Sequence, residues 1–283
     1  MQITRLTGVL GAEISDVTVS DTMPAGDFDA LKAALLEHGV IAIRDQTLTP
    51  AEQLAFVRRF GDIHFHPHVQ GLPEQPEVME ILKTEAETTN FGSDWHTDQM
   101  FLASPANYTC LYGLEVPTSG GDTLFACMRN GYRSLSPAMQ KVACGLKTLN
   151  RSVASQIAGR SGSNATTYAS MRAKEAPVDE PLAEHPLVRQ HPETGEPSLY
   201  VGLHSIRLAG FSEVESRPLI DYFITHMARP ENTCRVRWAP GTLTIWDNRR
   251  VLHNAINDYY GQRRRMHRIT VMGSPTTAYS EAA

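Results

Sequence analysis

The sequence predicts a mainly β protein with flanking helices, and three observations carry that expectation. Runs rich in β-branched and aromatic residues recur in the middle and at the end of the chain. Helical signals lie at the front and between those runs without regular alternation, which favours a sandwich or barrel covered by helices over a βαβ sheet. At 283 residues the chain fits one all-β domain with insertions.

From the N-terminus, Ile3 to Val19 alternates apolar and polar residues around Gly8 and Gly11 and reads as a hairpin. Phe28 to His38 has helical periodicity and Gly39 supplies its stop. Val40 to Arg44 is a buried strand. Thr49-Pro-Ala-Glu52 is a capping box with proline at the first helical position, opening a helix that runs through Phe60. Strands follow at Val78 to Thr84, Ala106 to Val116 and Asp122 to Cys127, and Ser136-Pro137 opens a helix continuing through Leu146.

The segment Asn150 to Leu182 lacks periodicity and is expected to be an insertion that includes a lid. His191 to Gly195 is a turn between two strands, and Ser212-Glu-Val-Glu215 is a second capping box. Pro218 lies early in that helix, so a kink or delayed start is expected. Thr233 to Trp238 and Thr242 to Trp246 are expected to form a hairpin about Pro240-Gly241, with a last strand spanning Gln262 to Met272.

Bulk composition narrows the functions. Hydrophobic residues make up 41% of the chain, enough for a sizeable core. Lys and Arg number 26 against 31 Asp and Glu, a net charge of −5 that disfavours a nucleic-acid partner. Cys110, Cys127, Cys144 and Cys234 are widely spaced with no C-x-x-C, which favours packing over metal or disulfide roles. Without a leader-like N-terminus or an apolar run of ~18 residues, a cytoplasmic protein with no membrane partner is expected.

The chemistry concentrates in His96-Thr97-Asp98 and the distant His253. Iron(II) that activates oxygen needs two imidazoles and one carboxylate on one face of its octahedron, with adjacent positions free. In an extended segment His96 and Asp98 point the same way because side chains repeat with a period of two. Arg264 and Arg268 share a face of the last strand, about 13 Å apart, and two cationic forks beside one metal point to two anionic small molecules. The alternating His64, His66 and His68 invite a rival metal site, but no second set of ligands follows at short range. Trp95 and Trp246 are expected to pack beside the ligands, and Asp247 and Asn248 to orient them.

An ordered set of stretches extends this pattern across nearly the whole chain: Gly8 to Ile14, Trp95 to Asp98, Gly120 to Leu124, His185 to Val188 with His191-Pro192, Trp246 to Asn248, His253, and Arg264 to Arg268. In these the sequence resembles the TauD/TfdA family (taurine dioxygenase and 2,4-dichlorophenoxyacetate dioxygenase). The resemblance implies a double-stranded β-helix, the cupin-like jelly roll, forming a single domain over residues 1–283. It implies Fe(II) held by His96, Asp98 and His253 as metal and catalytic residues, with 2-oxoglutarate as cosubstrate and O2 as oxidant. Arg264 and Thr123 match the positions that hold the distal carboxylate of 2-oxoglutarate. Arg268 and His66 match substrate-binding positions. Val69 and Gly92 stand where a tyrosine and an asparagine contact taurine, so taurine itself is disfavoured.

The implied reaction is hydroxylation of a small organic anion, such as a sulfonate, alkyl sulfate or aryloxyalkanoate, with release of succinate and CO2. The alternatives are an oxygenase for a cationic or amino-acid-like substrate, and a jelly-roll metal-binding or hydrolase protein. A homo-oligomer, dimer or tetramer, is expected.

Overall fold

The computed structural model describes residues 1–152, 170–171 and 182–280. The opening hairpin forms from β1 (Gln2–Arg5) and β2 (Ala12–Ser15). Helix α1 (Ala25–His38) starts earlier than its periodicity indicates and stops at Gly39, whose φ of 73° is left-handed. Strand β3 (Val40–Ile43) follows, then α2 (Pro50–Val57), where Thr49 and Glu52 complete the capping box. Next come β4 (Ile63–His64), β5 (Met79–Lys83), β6 (Tyr108–Glu115) and β7 (Thr123–Cys127).

Two short helices follow, α3 (Met128–Arg133), which the sequence did not announce, and α4 (Pro137–Cys144), capped by Ser136. The centre of the chain holds β8 (Lys147–Asn150), β9 (Ala183–Pro186), β10 (Val188–Gln190), β11 (Pro197–Leu199) and β12 (Ser205–Leu208). Helix α5 (Glu213–Met227) precedes β13 (Thr233–Val236), β14 (Leu243–Asp247), β15 (Val251–Ala255) and β16 (Arg264–Val271). Most of the expected lid over 150–182 lies outside the described residues. No helix among the described residues is long and apolar enough to cross a membrane.

The strands build a jelly roll. An eight-stranded sheet runs β1-β2-β3-β14-β6-β16-β4, with β5 also on β16, and a three-stranded sheet β13-β7-β15 faces it. Alternation sorts the side chains of the large sheet. Ile41, Ile43, Cys110, Leu243, Ile245 and Ile269 pack with α1 and α2 in one core, while Val40, Ala42, Leu111, Trp246 and Met266 join Phe125 and Val251 of the small sheet in another. Both faces of β3 and β14 are therefore buried, which explains why they read as unbroken apolar runs. Among these residues Phe125 is fully buried, and its loss as Phe125→Ala removes about 3–5 kcal/mol.

Two expectations are corrected. Thr233 to Trp238 and Thr242 to Trp246 do not pair as a hairpin: β13 joins β7 in the small sheet, whereas β14 lies between β3 and β6 in the large one. Pro240-Gly241 is a crossover between sheets. Gly241 has a φ of 80°, and a Cβ there would meet the Gln46 carbonyl oxygen at 2.7 Å, so glycine is required for the close approach. Pro218 does not delay α5, which starts at Glu213. The carbonyl that loses a partner to Pro218 belongs to Val214, a residue 84% exposed, so the loss falls at the solvent-facing side of the helix.

Asp247, at the end of β14, anchors the junction beneath the site. It accepts hydrogen bonds from the Arg249 backbone nitrogen at 2.9 Å, Arg249 Nε at 2.8 Å and Nη2 at 2.7 Å, and it lies 3.0 Å from His191 Nε2. Burial alone would raise its carboxyl, but Arg249 and His191 hold it well below the ordinary aspartate value of 3.8. That contribution is therefore complete above 3.8 and is lost as the pH falls through the depressed value. Asp247→Asn is expected to cost about 3 kcal/mol at pH 7 by urea unfolding, with the gap to wild type narrowing as the pH drops below about 4.

Candidate metal centre and anion pocket

His96, Asp98 and His253 converge, all buried, with one ligand atom from each within 4.8 Å of the others. His96 Nε2 lies 3.8 Å and His253 Nε2 3.7 Å from Asp98 Oδ1. The two histidines are joined as an isolated antiparallel bridge, His96 N donating to His253 O at 3.0 Å and His253 N to His96 O at 2.7 Å. The segment is not a regular strand. Asp94 (φ 69°) and Gln99 (φ 56°) bend the chain on either side of the ligands, each a left-handed conformation costing of order 1 kcal/mol.

Local partners fix each ligand. His96 Nδ1 donates to the Asp94 carbonyl at 2.9 Å, leaving the Nε2 lone pair aimed inward. His253 is flanked by Phe125, stacked at 6.0 Å, and by Trp246 at 4.8 Å. Asp98 Oδ2 accepts from Thr109 Oγ1 at 2.6 Å, and Thr109 accepts in turn from Asn248 Nδ2 at 2.9 Å. Asn248 Oδ1 accepts from the Asp98 backbone nitrogen at 3.2 Å and from Trp246 Nε1 at 3.0 Å. Asn248 thus ties the carboxylate, its backbone and Trp246 together, while Asp247, also expected to orient ligands, turns to Arg249 and His191 instead.

The electrostatics suit a cation. Burial holds both ligand histidines below the ordinary imidazole range, His253 well below it, so both rings are neutral with lone pairs available. Burial opposes ionisation of Asp98, but the Arg268 guanidinium, helped by the Thr109 hydroxyl, outweighs it and keeps the carboxyl ionised. One carboxylate and two neutral imidazoles on one side of a cavity match the donor set of Fe(II) sites with open positions.

Around this centre the other expected residues fall into two groups. Arg264 and Arg268 do share the inner face of β16, each about 5% exposed or less. Arg264 Nε and Nη2 have no hydrogen-bond acceptor among the described residues. Its guanidinium lies 5.5 Å over the Trp238 ring, and Trp238 Nε1 donates to Thr123 Oγ1 at 3.0 Å, which leaves the threonine proton free to donate. Arg268 Nη2 contacts Asp98 Oδ1 at 2.7 Å, while its Nε has no acceptor. It is a buried partner of the ligand carboxylate, not a surface ion pair.

His66 lies beyond the end of β4, so the three alternating histidines do not share a strand. Its Nδ1 accepts from the His68 backbone nitrogen at 3.2 Å, and burial, with Arg268 and His68 adding to it, keeps the ring neutral. A cavity of about 380 Å³ opens beside it, lined by Phe65, His66, Val69, Leu72, Pro73 and Pro76 among others. Gly92 faces the His96 ring, where a Cβ would stand 3.4 Å from Cε1.

Sequence reasoning missed Thr109 and His204. Thr109 is one threonine in an apolar strand and carries no distinguishing signal. His204 lies between two strands, its ring 6.1 Å from His96 and 5.0 Å from Phe101. The only local hint was the neighbouring Gly202, whose Cβ would meet Trp95 O at 3.1 Å and His96 Cα at 3.2 Å.

Asn248→Ala is expected to weaken divalent metal binding about 10–100-fold, since it frees Thr109 and the Asp98 backbone together. Calorimetric titration with Mn(II) measures this, and an unchanged affinity would show that the ligand loop holds itself.

With this geometry in place, comparison with known proteins is informative. Residues 2–270 match the family model described as taurine catabolism dioxygenase TauD, TfdA family. The chain is 35% identical to the alkylsulfatase of Acinetobacter baylyi over 98% of its own length and 86% of that protein's. It is 31% identical to the alpha-ketoglutarate-dependent sulfate ester dioxygenase of Pseudomonas putida, covering 96% of this chain and 90% of that one. The crystal structure of a taurine dioxygenase from Burkholderia xenovorans superposes with a TM-score of 0.80 at 29% identity, covering 99% of this chain and 96% of that chain. The chain belongs to the TauD/TfdA family.

Proposed function

We propose that this protein is an Fe(II)- and 2-oxoglutarate-dependent dioxygenase that oxidises a small monoanion carrying an apolar body, with alkyl sulfates as the best-fitting class. The observation that carries the reading is the buried Arg264 guanidinium, two of whose donors have no acceptor among the described residues, on the same strand face as Arg268 at the metal-ligand set. A buried cation left unpaired is costly, and a carboxylate delivered by a cosubstrate would relieve that cost.

In this reading His96, Asp98 and His253 hold the metal, while Arg264 and the Thr123 hydroxyl hold the distal carboxylate of 2-oxoglutarate. Bound iron would supply the reduction of O2 coupled to decarboxylation of 2-oxoglutarate to succinate and CO2, and with it the power to hydroxylate a C–H bond. The protein's own groups position and exclude water. Arg268 turns a donor towards the substrate's anionic group while keeping Asp98 ionised. Neutral His66 offers an Nε2 proton to the same group, since its Nδ1 is already an acceptor. Phe101 and Val69, both buried, keep the surroundings apolar.

The cavity beside His66 favours an extended substrate over a compact aminosulfonate, because Phe65, Val69, Leu72, Pro73 and Pro76 offer an apolar wall to a tail. Among the described residues none that lines it is acidic, which disfavours the cationic or amino-acid-like alternative. For a sulfate ester, hydroxylation of the carbon bearing the ester oxygen gives a product that breaks the C–O bond, releasing an aldehyde and sulfate.

Succinate release across a panel of alkyl sulfates, alkyl sulfonates, aryloxyalkanoates and taurine tests the reading. The highest kcat/KM is expected for an alkyl sulfate with a chain long enough to reach the cavity, and a preference for taurine would contradict it. Arg264→Ala is expected to raise the KM for 2-oxoglutarate by about 100-fold, the cost of leaving its distal carboxylate unpaired. An unchanged KM would move the anchor elsewhere.

A further inference from the structure

Lys83 ends β5 directly opposite Arg264 on β16. In antiparallel strands such partners lie on one face with Cβ atoms about 4.5–5.5 Å apart. Both residues are 4% exposed. Two cationic side chains are therefore buried at facing positions of neighbouring strands, and a buried cation is unfavourable without a compensating anion.

The chain supplies anions generously elsewhere on this ladder. On the outer face Arg265 pairs with Glu80 at 2.6 Å and Glu115 at 3.6 Å, and neighbouring Arg263 reaches Glu115 at 3.1 Å and Glu85 at 3.7 Å. On the inner face Lys83 Nζ has no acceptor among the described residues, just as Arg264 Nε and Nη2 have none. Carboxylates in the vicinity are committed to other partners. Glu87 accepts from the Thr84 backbone nitrogen at 2.7 Å and from Ser170 Oγ, and Asp122 accepts from Arg235 Nε at 2.6 Å. The Lys83 ammonium instead rests 4.3 Å from the centroid of the buried Tyr259 ring. That contact holds a cation in place without neutralising it. Burial accordingly pulls its pKa below the ordinary lysine range, against the weaker pull of Glu87.

We propose that Lys83 is a second cationic contact for the distal carboxylate of 2-oxoglutarate, acting with Arg264 from the neighbouring strand. This rests on the cosubstrate reading given above. One carboxylate received between the two strands pairs with both buried cations at once. A one-carboxylate keto acid has nothing to place there. Lys83 thereby discriminates 2-oxoglutarate from shorter 2-oxo acids.

The test uses the full chain loaded with Mn(II), with calorimetric dissociation constants for 2-oxoglutarate and for 2-oxobutyrate, which keeps the keto-acid end and lacks the distal carboxylate. Lys83→Met is expected to weaken 2-oxoglutarate binding about tenfold or more, leave 2-oxobutyrate unchanged, and be partly restored by Lys83→Arg. Without cosubstrate, Lys83→Met should melt no lower than wild type, because it removes an uncompensated buried charge. The proposal is overturned if Lys83→Met binds 2-oxoglutarate as wild type does, if both acids weaken equally, or if the variant is markedly destabilised in their absence. A wild-type protein that binds the two acids equally would instead sink the cosubstrate reading itself.

Discussion

The site depends on a pair of backbone hydrogen bonds, between His96 and His253, that stitch a loop to a strand. They form an isolated bridge, backed by one further backbone bond from Ala255 N to Gly92 O at 3.1 Å, and they bring together residues from opposite halves of the chain. His253 is held by β15 within the small sheet and by Phe125 and Trp246 against its ring. His96 and Asp98, by contrast, sit on a loop bent at both ends by left-handed residues. The bridge transfers the rigidity of the sheet to that loop, and Asn248 repeats the connection through side chains. Loop ligands gain the precision of scaffold ligands in this way.

A second constraint is how charge is distributed across the large sheet. Strand β16 carries cations on both faces, and the outer Arg265 is fully matched by Glu80 and Glu115. Inside, Arg268 shares Asp98, and Arg264 is left with unfilled donors. In the proposed reading this interior receives anions that arrive from solution. Stability that a closed ion-pair network would have given is forgone, in keeping with the general finding that local rules are broken at functional sites. The anchoring network around Asp247, Arg249 and His191, which is buried and internally paired, shows how the same residue types are arranged when the purpose is structural.

Much of this was legible in the residues because local rules held. The capping boxes at Thr49 and Ser212 fixed two helix starts, since their hydrogen bonds are made within four residues. The period of two put Arg264 and Arg268 on one face. The motif spacing singled out His96, Asp98 and His253, whose ligand atoms the fold brings within 4.8 Å of one another. What escaped was nonlocal. Pro240-Gly241 has the chemistry of a hairpin turn, and only the pairing of β13 with β7 reveals that it passes between sheets. Thr109, Lys83 and His204 are single polar residues in or beside strands, and their meaning comes entirely from the partners that the topology sets opposite them.

The most direct test of the account is an anaerobic crystal structure of the protein with Fe(II) and N-oxalylglycine, using anomalous scattering to locate the metal. The account predicts one iron peak bound by His96 Nε2, Asp98 Oδ1 and His253 Nε2, with the far carboxylate of the analogue on Arg264. Iron bound without His253, or an analogue whose far carboxylate turns away from β16, would contradict it.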